Sequence, residues 1–226
     1  MDFSQFKKNS KDDIYLAIKK DILTLNLKPG QRISENEISV KYNVSRTPVK
    51  TAFLYLRGER LIEIVPQTGT FVTLLDLDLI REIVMIRKTM EAQVINSIIA
   101  NLSDETLQLL RDNLEQQYRI VTAEYTDPIE FYDVDSKFHE ICFETAGRKK
   151  LWHIIQDFQV HYTRFRMLDY INMGKLDHIY HEHLEMLELL EKRRIDMIDA
   201  FLHKHLFGNF GRLGQKLHTE FREYFV

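Results

Sequence analysis

With 226 residues, 44% of them hydrophobic, the chain is long enough for two cores of ordinary size. Its single cysteine, Cys142, excludes an internal disulfide and suits a reducing compartment, and no apolar run approaches the ~18 residues of a membrane span. The net charge of −3 divides unevenly: residues 1–75 carry 12 Lys+Arg against 8 Asp+Glu, and the remainder 19 against 26, so a basic part suited to nucleic acid precedes an acidic one.

Residues 1–9 read as a loose N-terminal arm without the apolar stretch of a signal peptide. From Lys11 to about Asn26, Ile14, Ile18, Ile22 and Leu25 follow helical spacing, and Pro29-Gly30 closes the segment. Ser34-Glu35-Asn36-Glu37 is a capping box that opens a short helix reaching about Tyr42. Asn43 supplies the turn, Ser45 is the expected N-cap of the next helix, and Val49, Ala52, Phe53 and Leu56 form its buried stripe. Two strands, about Ile62–Val65 and Thr70–Thr73, flank Pro66-Gln67-Thr68-Gly69 as a hairpin. This order is a winged helix-turn-helix: three helices and a two-stranded wing over residues 10–75.

Residues 76–226 show almost no strand signal. Helical stripes recur at about 79–100, 104–125, 128–146, 149–170, 175–193 and 195–218, which predicts an all-α bundle. Ser103 and Asp127-Pro128 mark helix starts, and Gly147 marks a stop.

In a helix-turn-helix the first turns of the second helix face base edges and phosphates. Arg46 can donate two hydrogen bonds to one guanine, Ser45 and Thr47 suit phosphate or thymine-methyl contacts, and Lys50 stands one turn beyond Arg46. Gly69 lets the wing backbone approach DNA closely.

Leu27-Lys28-Pro29-Gly30, Ser34-Glu35, Val44-Ser45-Arg46-Thr47-Pro48-Val49-Lys50 and Thr68-Gly69-Thr70-Phe71-Val72 together resemble the DNA-binding domain of the GntR family of bacterial transcription regulators. The resemblance implies DNA contact by Asn36, Ser45, Arg46, Thr47, Lys50 and Gly69. Family members usually carry arginine where this chain has Lys50, often arginine at Asn36, and usually glycine at Arg60. Lysine is a point charge and asparagine prefers adenine, so these departures predict an altered operator.

In the second part, helix faces sort the nine histidines. Asp135 and His139 stand four apart, on the side of Phe131, Phe138 and Cys142, so the pair points inward. His183 follows Met186, Leu187 and Leu190 whereas His181 follows Glu185 and Glu188, and His205 follows Ile198, Phe201 and Leu202 whereas His203 follows Asp196 and Asp199. Asp135, His139, His183 and His205 are thus expected to converge from three helices, a donor set for zinc, nickel, manganese or iron with positions left open.

Arg87-x-x-x-Glu91, Asp135-x-x-Phe138-His139, Glu182-His183 and Ala200-x-x-x-x-His205-Leu206 resemble the FCD type of C-terminal domain found in the FadR-like branch of the same family, and the aspartate and three histidines match its metal-binding subset. Arg148 stands where the family usually has asparagine. A divalent ion with one carboxylate leaves positive charge, which suits a small acidic metabolite, with Arg87 and Arg164 as candidates for its other end. The resulting expectation is a homodimeric regulator in the bacterial cytoplasm, reading a palindromic operator in double-stranded DNA under control of that effector. Two alternatives stay open. The metal is purely structural, or the chain is a metal-dependent hydrolase with a DNA-binding module. Against the second, His181-Glu182-His183-Leu184-Glu185 lacks the second histidine of a metalloprotease motif.

Overall fold

The computed structural model describes residues 13–226 apart from Asn101, so the arm expected at 1–9 lies outside the described residues. The described chain contains ten α-helices and one small sheet, and it divides into two compact units. One unit spans Asp78–Gly214; the other holds the described residues up to Leu77 together with Gln215–Val226.

The first unit in the chain contains α1 (Asp13–Leu23), β1 (Arg32–Ile33), α2 (Glu35–Tyr42), α3 (Arg46–Gly58), β2 (Ile62–Val65) and β3 (Gly69–Val72). Ile18, Ile22, Ile38, Val49, Phe53 and Leu56 fill its core, all buried. Ser34 caps α2 by accepting from the Glu37 N–H at 3.2 Å, and its hydroxyl donates to the Glu37 carboxylate at 2.9 Å, so Glu37 reaches the cap's side chain rather than its backbone. Asn43 takes left-handed angles (φ 54°), and the Val44 N–H donates back to the Ser39 carbonyl, which ends α2 within one residue.

The hairpin of β2 and β3 is the expected two-stranded wing, and β1 adds an unexpected third, antiparallel strand to its sheet, in the order β1-β3-β2. Two residues are too few to show alternation, so Arg32–Ile33 carries no strand signal of its own. Arg60, where the resembling family has glycine, adopts φ 58°, the region that favours glycine.

The last twelve residues differ from the expected boundary, which gave 76–226 to one domain. After Gly214 the chain runs through two 3-10 segments, Gly214–His218 and Arg222–Tyr224, and then pairs in parallel with Leu75. The Leu75 N–H donates to the Tyr224 carbonyl at 2.7 Å and the Val226 N–H to the Leu75 carbonyl at 3.0 Å. These bonds satisfy backbone groups that Leu75, fully buried, would otherwise bury unpaired.

The other unit is all helical: α4 (Leu77–Ile99), α5 (Asp104–Val121), α6 (Pro128–Thr145), α7 (Lys149–Phe158), α8 (Val160–Met173), α9 (Asp177–Glu191) and α10 (Ile195–Leu213). Ser103 and Asp127 cap α5 and α6 through their side chains. The helix expected over 149–170 is two, α7 and α8, meeting at buried Gln159 (φ −85°, ψ 13°). No proline or glycine marks that break. Every residue from Val160 to Tyr170 is buried, so α8 runs through the middle of the unit. Ile95, Phe138, Trp152, Met186 and Leu202 belong to one continuous apolar cluster that packs the helices around it. No helix among the described residues is long and apolar enough to cross a membrane.

Candidate functional site

In the unit that contains the sheet, Arg46, Thr47 and Lys50 open α3 and are exposed, while Val49, one position before Lys50, is fully buried. The stripe of Val49, Ala52, Phe53 and Leu56 fixes the helix in its unit and leaves its N-terminal polar face outward. Ser45 holds the N-cap backbone geometry, but its side chain makes no capping hydrogen bond, so an exposed hydroxyl remains at the helix mouth. Asn36 is exposed on α2. Gly69 has φ 146°, and a Cβ there would stand 2.8 Å from Arg32 Nε, so the glycine makes room for a guanidinium of the same unit. Exposed Arg32 is a cationic group beside the wing that the helix-turn-helix pattern did not single out.

In the helical unit the faces of α9 and α10 sort as expected: His183 and His205 are buried, whereas His181 and His203 are exposed. One ring nitrogen each from His139, His183 and His205 lies within 4.8 Å of the others. The second nitrogen of each ring is held by a neighbour. His139 Nδ1–H donates to Glu91 at 2.8 Å, His183 Nδ1–H to Gln117 at 2.8 Å and His205 Nδ1–H to Glu182 at 2.7 Å.

The partners fix the tautomers. Ionised carboxylates accept only, so the His139 and His205 protons sit on Nδ1. For His183 the reasoning runs through two amides: Asn113 Nδ2 donates to the Val134 carbonyl, Asn113 Oδ1 therefore accepts from Gln117 Nε2, and Gln117 Oε1 is left to accept from the imidazole. Three Nε2 lone pairs thus face one point.

That arrangement is unfavourable for bare imidazoles. His139 and His205 bring Nε2 to Nε2 at 3.3 Å, and the Nε2 of fully buried His183 has no hydrogen-bond partner. A tetrahedral ion with bonds of about 2.0–2.1 Å separates two nitrogens by about 3.3 Å. The donor chemistry therefore fits a divalent metal. Burial, with His139 adjacent, lowers His205 to about 3, and burial holds His183 well below its ordinary value, so both stay neutral as metal ligands must.

Asp135 reaches the edge of this cluster rather than its centre. Its Oδ1 lies 3.8 Å from His183 Nε2 and accepts from the Tyr170 hydroxyl at 3.2 Å, while Oδ2 accepts from Arg166. Burial works against its charge, but the Arg166 guanidinium holds the carboxyl well below the usual range. Glu91 is likewise buried, and Arg87 and His139 keep it ionised.

A cavity of about 10 Å³, room for little more than one water-sized group, borders the imidazoles and is lined by Arg87, Arg166, Tyr162, Tyr170, Asn209 and Arg212 among others. Arg87 Nε donates to Glu91 at 2.6 Å, and its Nη1 and Nη2 are buried without hydrogen-bond partners. Arg164, the other arginine expected here, does not line the cavity; Arg166 does. On a helix buried on every side, neither position stands out by face. Burial lowers Arg164 to about 9. Asn113 and Gln117 were also missed, although two amides four apart on the apolar stripe of α5 are the kind of buried polar pair that signals a partner.

Residues 82–208 match the profile described as FCD domain, and residues 10–72 match the bacterial regulatory proteins of the gntR family. The chain belongs to the GntR family and carries an FCD domain. It is therefore a DNA-binding transcriptional regulator and not an enzyme. It is 28% identical over 193 residues to the HTH-type transcriptional repressor RspR of Escherichia coli K12, covering 85% of this chain and 84% of that one. It is 24% identical over 191 residues to the Nta operon transcriptional regulator of Aminobacter aminovorans, covering 84% and 88%. The fold is shared with E. coli McbR/YncC (TM-score 0.72, 18% identity, 93% of this chain and 99% of that one) and with a GntR regulator from Rhodococcus sp. RHA1 (TM-score 0.65, 19% identity, 90% and 97%).

Proposed function

We propose that this GntR regulator is a metal-containing sensor whose FCD domain holds a divalent ion on His139, His183 and His205, with Asp135 as the adjoining carboxylate, and that a small carboxylate effector binds beside it, for which the cavity of about 10 Å³ must widen. The observation that carries this reading is the convergence of three Nε2 lone pairs, each fixed by an acceptor on Nδ1. The ion would act as a Lewis-acidic anchor for the effector. Arg87, whose Nη1 and Nη2 lack partners, supplies two donors to the same anion.

At the other end, two recognition helices of a homodimer read a palindromic operator through Arg46 and Lys50, with Ser45, Thr47, Asn36 and Gly69 at the backbone or adjoining bases. Repression is the mode we favour, as the name of the E. coli relative states for that protein. The acidic effector changes the spacing of the two recognition helices and with it operator affinity.

Elemental analysis of untagged, unchelated protein tests the sensor. About one equivalent of zinc, nickel, manganese or iron per chain, lost in His139→Ala, is expected; equal metal in both proteins sinks the assignment. Fluorescence titration at matched salt tests the DNA half: a GntR-type palindrome must bind more tightly than random duplex.

A further inference from the structure

The wing is a hairpin with no cation of its own, although its partner is a polyanion. Residues 62–73 hold one glutamate, Glu63, and no lysine, arginine or histidine. The unexpected third strand supplies the missing charge. Ile33 of β1 is buried, so alternation turns its neighbour Arg32 to the outer face of the sheet, where it is exposed.

The strand register decides where that side chain goes. Arg32 pairs with Phe71 and Phe71 with Glu63, which puts the three on one face, with Gly69 two positions from Phe71 on the same side. The guanidinium does not take Glu63; it makes no hydrogen bond or ion pair among the described residues. It lies over the glycine instead: a Cβ at Gly69 would stand 2.8 Å from Nε, 3.4 Å from Nη2 and 3.5 Å from Cζ. The missing side chain is thus the seat of a cation whose N–H donors remain open to a ligand.

We propose that Arg32 is a DNA-reading residue: β1 carries it over Gly69 into the minor groove next to the major-groove site of α3, where it selects A·T-rich flanks. With α3 in a major groove ~12 Å wide, the hairpin that follows it meets the adjoining minor groove. That groove, at ~6 Å, is too narrow for a two-stranded ribbon but admits one planar guanidinium. Narrow A·T-rich stretches concentrate negative potential there and attract arginine, whereas G·C pairs place an amino donor on the groove floor, against which a guanidinium has nothing to accept its protons. This rests on the operator-reading mode above and adds the residue that reads outside the bases facing Arg46 and Lys50.

The test uses the full chain and begins with selection of duplexes from a random library, so the operator need not be known beforehand. Wild-type protein is expected to enrich A·T pairs outside the bases read by α3. Fluorescence anisotropy at matched salt then compares the best duplex with flanks of A·T, of G·C and of inosine·C. Inosine·C keeps the major-groove pattern of G·C but lacks its minor-groove amino group. The wild type is expected to bind A·T and inosine·C flanks alike, and G·C flanks about 5- to 50-fold more weakly. Arg32→Ala changes an exposed position and is expected to bind all three equally, at the weaker level, with a salt slope lower by about 1 on the A·T flanks. Inosine·C flanks that bind as weakly as G·C flanks overturn the minor-groove assignment, and so does a wild type that ignores the flanks. Arg32→Ala that keeps the wild-type flank preference, even with every affinity lowered alike, also overturns it, since the arginine then touches phosphate alone. A wild type that enriches no duplex removes the operator reading itself.

Discussion

His139 and His205 direct their Nε2 atoms at each other across 3.3 Å, and each ring has its Nδ1 proton committed to a different glutamate. The separation cannot relax through a tautomer change without breaking a buried charge-assisted hydrogen bond. These nitrogens call for a metal ion or a hydrogen-bond donor between them, and burial disfavours a proton on His205 itself.

Gln117 should therefore matter to metal affinity without touching the metal. In Gln117→Leu the His183 ring loses its acceptor and its fixed orientation. Affinity is expected to fall by about 10- to 100-fold, the usual cost of removing a partner that orients a ligand. Competition against a chromophoric chelator measures this; an unchanged affinity would reduce Gln117 to a packing residue.

Arg46 and Lys50 should separate in their effects on DNA. Loss of Arg46 to alanine is expected to cost about 1–3 kcal/mol at the preferred operator and to relax sequence preference. Lys50→Ala is expected to weaken binding to all sequences alike and to lower the salt slope by about 1. Titrations at several salt concentrations distinguish the two, and identical signatures would contradict the assigned roles.

The exposure of Arg46 and Lys50 was legible in the sequence because the motif is local: a cap, a turn and a stripe within one short stretch place both outward before any tertiary contact is known. The histidines were legible for the same reason, since α9 and α10 each have one wet and one dry face. Arg166 was not. On α8 every position from Val160 to Tyr170 is buried, so helical periodicity carries no information there, and only the fold tells Arg166 from Arg164. The break at Gln159 was equally silent, having neither proline nor glycine nor a side-chain cap.

Cys142 should be inert in the folded protein. Burial, with the Glu91 carboxylate adding to it, pushes the thiol up to about 12 from an ordinary 9.0. Because the folded value is the higher one, the contribution to stability is fully present below pH ~8.5, where the unfolded thiol also keeps its proton, and is lost as pH rises through the folded value. Labelling with a coloured disulfide reagent at pH 8 should follow global unfolding, and the variant Cys142→Ala should show less alkaline destabilisation. Rapid labelling of native protein would place a local opening at α6.

Gly69→Ala should strain the wing through both φ 146° and contact with Arg32. A loss of about 1–3 kcal/mol in unfolding free energy is expected. Repeating the substitution in an Arg32→Ala background separates the causes: the crowding disappears and the backbone cost stays. Full recovery there would assign the effect to Arg32 alone.

The parallel pairing of Leu75 with Phe225 makes the DNA-binding unit discontinuous in sequence. A chimera that exchanges FCD domains between relatives must splice at two points, near Leu77 and near Gly214, and keep residues 215–226 with the helix-turn-helix. Cut once at Leu77, the reading head would be expressed with the Leu75 N–H and carbonyl stripped of their partners and its apolar side chain less well covered. A weak result from such a fragment would then report the missing segment, not the strength of the DNA contacts.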